Sequence, residues 1–203
     1  MSSTLQTDAA GMVRFEVETR MPTQRGSLRV RAYRDSVTGA DHLAIVADPL
    51  GPVPFVRLHS ECLTGEVLGS AKCDCGPQLE AALDVIAREG GVVVYLRGHE
   101  GRGIGLVDKL RAYRLQEDGL DTVDANTALG LPVDARDYGA AAAILDDLTV
   151  QRVRLMTNNP DKVRQLRDHG IEIVERVPLV VRNGARSDRY LETKRTRMGH
   201  LLA

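Results

Sequence analysis

The sequence has little of several features that mark large functional classes. It contains no tryptophan and only two phenylalanines in 203 residues, so stacking platforms for single-stranded nucleic acid would be scarce. Its formal net charge of −1 argues against a protein that coats nucleic acid or an anionic membrane. No apolar run approaches the ~20 residues needed to span a bilayer, and the polar N-terminus lacks the pattern of a secretory signal. These absences lead us to expect a cytoplasmic protein.

Cysteine is also scarce, and its placement is informative. The chain has three cysteines, and all of them lie within residues 62–75. An odd and clustered set does not suit a disulfide framework and indicates a metal or thiol site. Cys73 and Cys75 are separated by one residue, with Gly76 favouring a turn beside them, and Cys62 precedes them. Three thiolates suit zinc, and three protein ligands leave a fourth position for water, as in catalytic sites.

Two other interpretations of the cysteines stay open at this point. His59 lies near Cys62 in the sequence and would make a fourth ligand, which would turn the site into a structural one. The cysteines would otherwise be ordinary buried thiols, which their clustering disfavours.

Hydrophobic periodicity predicts a single α/β domain, in which helices cover the faces of a mixed sheet in three layers. We expect residues 1–12 to be disordered and 13–203 to form the domain, with a strand-rich N-terminal part. The expected strands are 14–19, 27–33, 42–47, 55–58, 92–96, 153–156 and 171–174. The expected helices are 77–90, 106–118, 137–148 and 160–169. The last strand–helix–strand unit predicts a parallel pair.

Two turns between a predicted strand and a predicted helix are candidate phosphate sites. The first, 97–105, is rich in glycine and also carries arginines, an acid and a histidine. The second, 157–162, places Thr157 and Lys162 around the amides at the start of a helix. Both turns would lie at the carboxyl ends of strands, the usual ligand edge of an α/β sheet. Taken locally, a plain strand-to-helix turn is the commoner explanation of the first segment, and a capped helix with a surface lysine is slightly favoured for the second.

Two further places have only structural interpretations on local grounds. Either Asp134 or Asp137 would cap the helix that follows them, and Arg136 would pair with either. Tyr113 lies on the second predicted helix beside Arg111, where a core or rim position is the ordinary expectation.

Taken together, these segments resemble GTP cyclohydrolase II from about Met21 to the C-terminus, with order and spacing kept. The matching strings are Val56–Gly65, Cys73–Gly76, Gln78–Glu80, Glu100–Leu106, Arg111–Tyr113, Asp121–Asn126, Asp134–Tyr138, Thr157–Pro160, Glu175–Leu179 and Met198–Leu201. Several of these motifs are specific to this family.

The resemblance implies that the protein converts GTP and water to a diaminopyrimidine ribosyl phosphate, formate and pyrophosphate, which is the first step of riboflavin biosynthesis. It implies that Cys62, Cys73 and Cys75 hold one zinc ion, which activates the water that attacks C8 of the purine. Tyr113 matches the tyrosine that assists ring opening. Asp134 matches the proposed proton acceptor.

Arg136 matches the proposed nucleophile at the α-phosphate, although a guanidinium is a poor nucleophile and a good electrostatic clamp. The substrate contacts implied by the resemblance are Arg57, Leu58, His59, Ser60, Glu61, Gln78, Glu100, Gly101, Arg102, Thr122, Thr157 and Lys162. It also implies Mg²⁺ with the triphosphate and a homodimer.

The chain departs from the family pattern at a few places. His99 stands where many relatives have glutamine, which would either alter the pocket or be neutral. Relatives are often fused to an N-terminal synthase domain, whereas about twenty residues precede the matching region here, so we expect a monofunctional chain. Tyr113 is kept, and we therefore expect formate release to be completed.

Two alternatives to the complete cyclohydrolase follow from the same residues. One is a paralogue that stops early or serves a specialised pathway, and the intact set of Cys, Tyr, Asp and Arg counts against an early stop. The other is a non-catalytic nucleotide-binding protein with structural zinc, which the lack of a fourth cysteine disfavours.

Overall fold

The computed structural model of the protein describes residues 12–181, together with 196, 197, 199 and 201. Of the segment expected to be disordered, only Met12 lies among the described residues. The family motif at 198–201 is described only at Gly199 and Leu201.

The described residues form seven strands and seven helices, which alternate after a strand-rich start. The strands are β1 (Val13–Thr23), β2 (Gly26–Asp35), β3 (Asp41–Ala47), β4 (Phe55–Ser60), β5 (Gly91–Leu96), β6 (Arg152–Met156) and β7 (Glu172–Val177). The helices are α1 (Leu63–Glu66), α2 (Cys75–Glu89), α3 (Glu100–Gly103), α4 (Leu106–Glu117), α5 (Thr122–Ala128), α6 (Gly139–Asp147) and α7 (Pro160–Asp168). All seven expected strands and all four expected helices are present, with shifted boundaries.

The prediction missed the three short helices α1, α3 and α5, and it placed two helix starts wrongly. Helix α2 begins at Cys75 rather than at Pro77, because the carbonyl of Asp74 already accepts the amide of Gln78 at 3.0 Å. Helix α6 begins at Gly139 rather than at residue 137, because the Asp137 carboxylate accepts the Gly139 amide at 2.8 Å from outside the helix.

The strands form one mixed seven-stranded sheet in the order β1-β2-β3-β5-β4-β6-β7. The pairs β1/β2, β2/β3 and β3/β5 are antiparallel. The pairs β5/β4, β4/β6 and β6/β7 are parallel, which confirms the parallel pair expected at the end of the chain. The mixed α/β sheet predicted from the sequence is therefore confirmed.

Helices cover both faces of this sheet, because successive strand residues point to opposite sides. On one face, Val92 and Val94 pack with buried residues of α6 and α7, including Ile144 and Leu166. On the other face, Val93 packs against Ala82 and Ile86 of α2. The result is the three-layer arrangement expected from the sequence.

The parallel strands β4, β5 and β6 end at Ser60, Leu96 and Met156, all at the same edge of the sheet. Both candidate phosphate turns follow these ends, as expected for an α/β fold. Within the residues that the structure describes, no helix is long and apolar enough to cross a membrane.

Candidate metal and nucleotide site

Three cysteine sulfurs meet at the edge where the parallel strands end. Cys62 directly precedes α1, whereas Cys73 and Cys75 lie at the start of α2. Their Sγ atoms all lie within 4.8 Å of one another, and those of Cys62 and Cys73 are 3.7 Å apart. Tetrahedral zinc with Zn–S bonds of ~2.3 Å requires sulfur–sulfur distances of about 3.8 Å. The donor atoms and their spacing therefore fit one zinc ion.

Close packing of α1 against the sulfurs requires glycine at position 65. A Cβ atom there would lie 2.7 Å from the Cys73 Sγ and 3.2 Å from the Cys62 Sγ. Such contacts are shorter than ordinary van der Waals separations of ~3.5–4.0 Å. Gly65 thus allows the backbone of α1 to form one wall of the candidate metal site.

The protonation of the three thiols is uneven. Hydrogen bonds from Cys73 and Cys75, with a further one from Lys109, lower the pKa of Cys62. Hydrogen bonds with Cys62 and Cys73, together with burial, raise the pKa of the Cys75 thiol well above its ordinary value. The protonation of the three thiols is therefore linked, and a metal ion binds their thiolate forms.

His59 is held away from the sulfurs by Glu66. Its Nε2 atom lies 2.8 Å from Glu66 Oε1, and burial lowers the pKa of the imidazole. Among the described residues, the group of metal-binding atoms around the sulfurs consists of the three cysteines alone. This arrangement leaves His59 outside the ligand set, unlike the alternative in which it closes a structural site.

Ten of the predicted site residues line one cleft at this edge, which brings Tyr113 and Arg136 to the same cavity as the cysteine sulfurs. The ten are Ser60, Glu61, Cys62, Cys73, Cys75, Gly101, Arg102, Tyr113, Thr122 and Arg136. Burial raises the pKa of Tyr113 to about 12, so its phenol is a hydrogen-bond donor at neutral pH. The cleft thus combines a metal-binding group, a phenol and two guanidinium groups.

Arg136 is held in the cleft by Asp134 and Ser60. Its Nε and Nη2 atoms donate to the two carboxylate oxygens of Asp134 at 2.8 and 2.5 Å. Its Nη1 atom lies 3.3 Å from the Ser60 hydroxyl oxygen. Burial raises the pKa of Asp134, but hydrogen bonds and charge from Arg136 outweigh it and bring this pKa below its usual value. The result is a two-point ion pair with a fixed guanidinium orientation.

The guanidinium of Arg57 connects the sheet to the cysteines from below the cleft. It donates to the Met156 carbonyl at 2.9 Å and to Gln78 Oε1 at 2.6 Å. Gln78 in turn donates to the Asp74 carboxylate, between the two clustered cysteines, at 2.6 Å. Arg57 and Gln78 are buried, so in this structure they support the cysteine turn rather than line the cleft.

Lys162, Leu58 and Thr157 also lie beneath the cleft surface. Lys162 Nζ donates to the Leu58 carbonyl at 2.8 Å, and the Leu58 side chain belongs to the hydrophobic core. The Thr157 hydroxyl accepts the amide of Asn159 at 3.1 Å, which is a local turn contact. Asn159, rather than Thr157, caps α7.

Glu100 is buried and both of its oxygens have partners. Oε1 accepts from Lys109 at 2.5 Å, and Oε2 accepts the amide of Leu63 at 2.6 Å. The next residues, Gly101 and Arg102, have positive φ angles of 60° and 65°. A left-handed arginine is uncommon and reflects a tightly constrained turn, which directs the Arg102 side chain into the cleft.

A comparison with protein-family models identifies the family of this chain. Residues 14–178 match the model described as GTP cyclohydrolase II, which is most of the chain. The chain belongs to the GTP cyclohydrolase II family. The family predicted from the sequence motifs is therefore confirmed.

Several curated relatives of this chain carry the name "Riboflavin biosynthesis protein RibBA". The protein from Salinispora arenicola is 58% identical over 193 residues, covering 94% of this chain and 46% of the relative. The protein from Mycobacterium tuberculosis H37Ra is 56% identical over 193 residues, covering 92% of this chain and 45% of the relative. The chain thus spans about half the length of the curated relatives it matches.

The structure adds residues to the candidate site of this family member that sequence reasoning missed. Lys109 contacts the Cys62 sulfur, and Glu66 accepts the Cys62 amide at 2.7 Å. Asn126 and Gln116 line the cleft. One signal was available for Lys109: it precedes Tyr113 by four residues on a predicted helix, and such residues share one face.

Proposed function

We propose that this chain is a zinc-dependent GTP cyclohydrolase II, which opens the imidazole ring of GTP and releases formate and pyrophosphate at the start of riboflavin biosynthesis. The observation that carries the proposal is the convergence of three cysteine sulfurs with Tyr113 and Arg136 on one cleft, at the carboxyl edge of the parallel strands. This edge is where α/β folds bind nucleotides.

Cys62, Cys73 and Cys75 would hold the zinc ion, and the fit of their sulfur spacing supports this assignment. Bound zinc supplies Lewis-acid activation of water near neutral pH, because coordination brings the pKa of water toward ~7. The chain supplies three protein ligands from its described part, which matches the ligand number of catalytic rather than structural sites. Magnesium would accompany the triphosphate, as phosphate oxygens favour this cation.

Tyr113 is proposed to assist ring opening beside the metal. Its phenol lines the same cleft as the sulfurs and, with a pKa of about 12, keeps its proton at neutral pH. A protonated phenol donates a hydrogen bond to an oxygen or nitrogen that gains charge as the purine ring opens. This role accounts for a tyrosine, rather than a phenylalanine, on this wall.

Arg136 is proposed to bind the α-phosphate as an electrostatic clamp, with Asp134 fixing its orientation. The ion pair between them engages Nε and Nη2, and Nη1 points to Ser60 in the cleft. A guanidinium paired to an ionised carboxylate keeps its charge and does not readily become a nucleophile. The geometry therefore favours charge stabilisation at the phosphate over covalent attack by Arg136.

The remaining predicted substrate residues divide into two groups in this proposal. Ser60, Glu61, Gly101, Arg102 and Thr122 line the cleft and would contact the nucleotide directly. The buried group would act through the backbone and through the shape of the cleft floor. It comprises Arg57, Leu58, His59, Gln78, Glu100, Thr157 and Lys162.

The test is an incubation of the purified, zinc-loaded protein with GTP and Mg²⁺, followed by measurement of formate, pyrophosphate and the pyrimidine product by mass. We expect formate and pyrophosphate in equal amounts, together with the diaminopyrimidine. The Cys73→Ser variant is the matched control and should lose ring opening while keeping its fold. Pyrophosphate without formate would indicate a truncated reaction, and a zinc-loaded protein that leaves GTP unchanged would contradict the proposal.

We further propose that the enzyme is a cytoplasmic homodimer, as expected from its resemblance to the family. We also propose that residues 13–203 form one catalytic domain that carries this reaction alone. Analytical ultracentrifugation would measure the oligomeric state.

A further inference from the structure

Lys109 occupies an unusual position beside the cysteine trio. Its Nζ atom lies 3.0 Å from Cys62 Sγ, 2.8 Å from Thr64 Oγ1 and 2.5 Å from Glu100 Oε1. The residue is only 8% exposed. An ammonium group has three N–H donors, and here three acceptors surround it.

The cost of burying this charge indicates that its placement is specific. An ammonium group removed from water is destabilising unless it is paired and hydrogen-bonded. The Glu100 carboxylate, 2.5 Å from the Lys109 Nζ atom, supplies the opposite charge that such a buried ammonium group requires. The lysine is therefore a fixed positive charge directed at one particular sulfur.

The three partners of Lys109 come from different parts of the chain. Cys62 and Thr64 belong to the segment after β4, Glu100 begins α3, and Lys109 itself lies on α4. On the same face of α4, the ring of Tyr113 lies 5.6 Å from Lys109 Nζ. The ammonium group thus connects the metal-binding segment to the helix that carries the proposed ring-opening phenol.

We propose that Lys109 is a positioning residue of the metal site, which withdraws charge from the Cys62 thiolate through an N–H···S hydrogen bond and so keeps the bound ion a strong Lewis acid. This inference rests on the zinc site of the proposed function and deepens it. The part of Lys109 in the reaction is indirect, since it acts through Cys62.

The physical basis is the charge balance of a three-thiolate site. Three thiolates around a divalent ion leave one surplus negative charge, and each thiolate donates electron density that weakens the ion as a Lewis acid. Hydrogen bonds to sulfur ligands reduce this donation and tune the properties of metal sites generally. Glu100 competes with Cys62 for the same ammonium group, so the carboxylate sets how strongly Lys109 acts on the sulfur.

If Lys109 had only a structural role, it would hold α4 against the segment after β4 without changing the metal–sulfur bond. The two roles are separable by replacing zinc with Co²⁺, since the thiolate-to-cobalt charge-transfer band reports electron donation by sulfur directly. In Lys109→Met, loss of the N–H donor makes Cys62 a stronger donor, and the band should move to longer wavelength. In Glu100→Gln, loss of the competing anion strengthens the bond to sulfur, and the band should move to shorter wavelength.

Activity of the zinc enzyme gives the second measurement. We expect Lys109→Met to lower kcat by about 10–100-fold, as for other residues that orient metal ligands, with little change in KM for GTP. Lys109→Arg keeps the charge and an N–H donor, and it should recover most of the lost kcat. Arg114→Met removes one exposed charge from the same helix and is the matched control; its band and kcat should equal those of the wild type.

A shift to longer wavelength in Lys109→Met together with a shift to shorter wavelength in Glu100→Gln would support the proposal, and the reverse pair of shifts would overturn it. Unshifted bands, or shifts of the same sign, would overturn it. If Lys109→Met does not fold, Glu100→Gln alone decides, since only a shift to shorter wavelength agrees with the proposal. The wild type separates this failure from that of the proposed function: a wild-type protein that binds no Co²⁺ or Zn²⁺ refutes the metal site itself, whereas a working wild type with unshifted variants refutes only the role of Lys109.

Discussion

Replacing Gly65 with alanine tests the packing that surrounds the cysteine sulfurs. The added Cβ would lie 2.7 Å from the Cys73 Sγ and 3.2 Å from the Cys62 Sγ. Compared with ordinary separations of ~3.5–4.0 Å, the nearer sulfur would have to move by about 1 Å. Metal sites tolerate deviations of only about 0.2 Å in ligand distance, so this displacement is incompatible with the present geometry.

The size of the effect follows from the cost of overpacking. Inserting a methyl group into a closely packed site costs about 1–3 kcal/mol. If this cost falls on the metal-bound form, zinc affinity decreases by about 5–150-fold, because 1.4 kcal/mol corresponds to a factor of ten. Part of the cost would fall on the metal-free form if α1 moves instead, and the lower end of the range would then apply.

The measurement is zinc affinity by competition with a chromophoric chelator, followed by GTP turnover at saturating zinc. Gly51→Ala is the matched control, because nothing lies within 4 Å of a Cβ at that position. We expect Gly51→Ala to bind zinc as the wild type does. A Gly65→Ala protein with wild-type zinc affinity would refute the argument that glycine is required to form the wall of the site.

Three further predictions concern single residues around the cleft. The Tyr113→Phe variant should still release pyrophosphate, but its rate of formate release should fall by at least about 100-fold, the usual contribution of a proton donor. Formate and pyrophosphate are measured in parallel, and equal losses of the two products would contradict the assignment. Glu66 accepts hydrogen bonds from the Cys62 amide, His59 and the Tyr95 hydroxyl. The Glu66→Gln substitution should therefore lower the free energy of unfolding by about 1–3 kcal/mol in a denaturant titration. An unchanged unfolding midpoint would argue against this role. His99 has a pKa lowered to about 3 by burial, with Arg136 and Lys162 adding to the shift. The unfolded chain therefore takes up the proton first, and stability that is full above pH ~6.5 decreases as the pH falls toward 3. His99→Gln should lose less stability than the wild type between pH 7 and pH 5, by about 2 kcal/mol in urea titrations, and identical losses would show that His99 is not responsible.

The longer elements of the fold could be predicted from the sequence because their periodicity is local. Val92 to Leu96 is an uninterrupted apolar run that begins with three β-branched valines, and Pro160 and Gly170 bracket α7 as start and stop signals. The short helices α1, α3 and α5 carry no such pattern. Helix α3 contains Gly101 and Arg102 in left-handed conformations, which only the surrounding contacts stabilise.

The order of the strands in the sheet could not be predicted from local sequence patterns. Strand β5 lies between β3 and β4, and β4 lies between β5 and β6, so these two pairs of consecutive strands are not neighbours in the sheet. For the site, the cysteine cluster was visible as a metal motif because its ligands are close in sequence. The contact between Lys109 and Cys62 joins residues 47 positions apart, and no spacing rule reveals such a pair.

The sheet topology also has a consequence for the order in which the protein folds. Strands β1, β2 and β3 form a meander whose pairings are local, whereas Arg57 reaches the Met156 carbonyl across 99 positions of the chain. Contacts between distant residues require the closure of long loops and therefore form later. All three cysteines precede β5, while Arg136 and β6 follow much later in the chain. We therefore expect the meander to form before the cleft is complete, because Arg57, which supports the cysteine turn through Gln78, gains its Met156 partner only when β6 has joined the sheet.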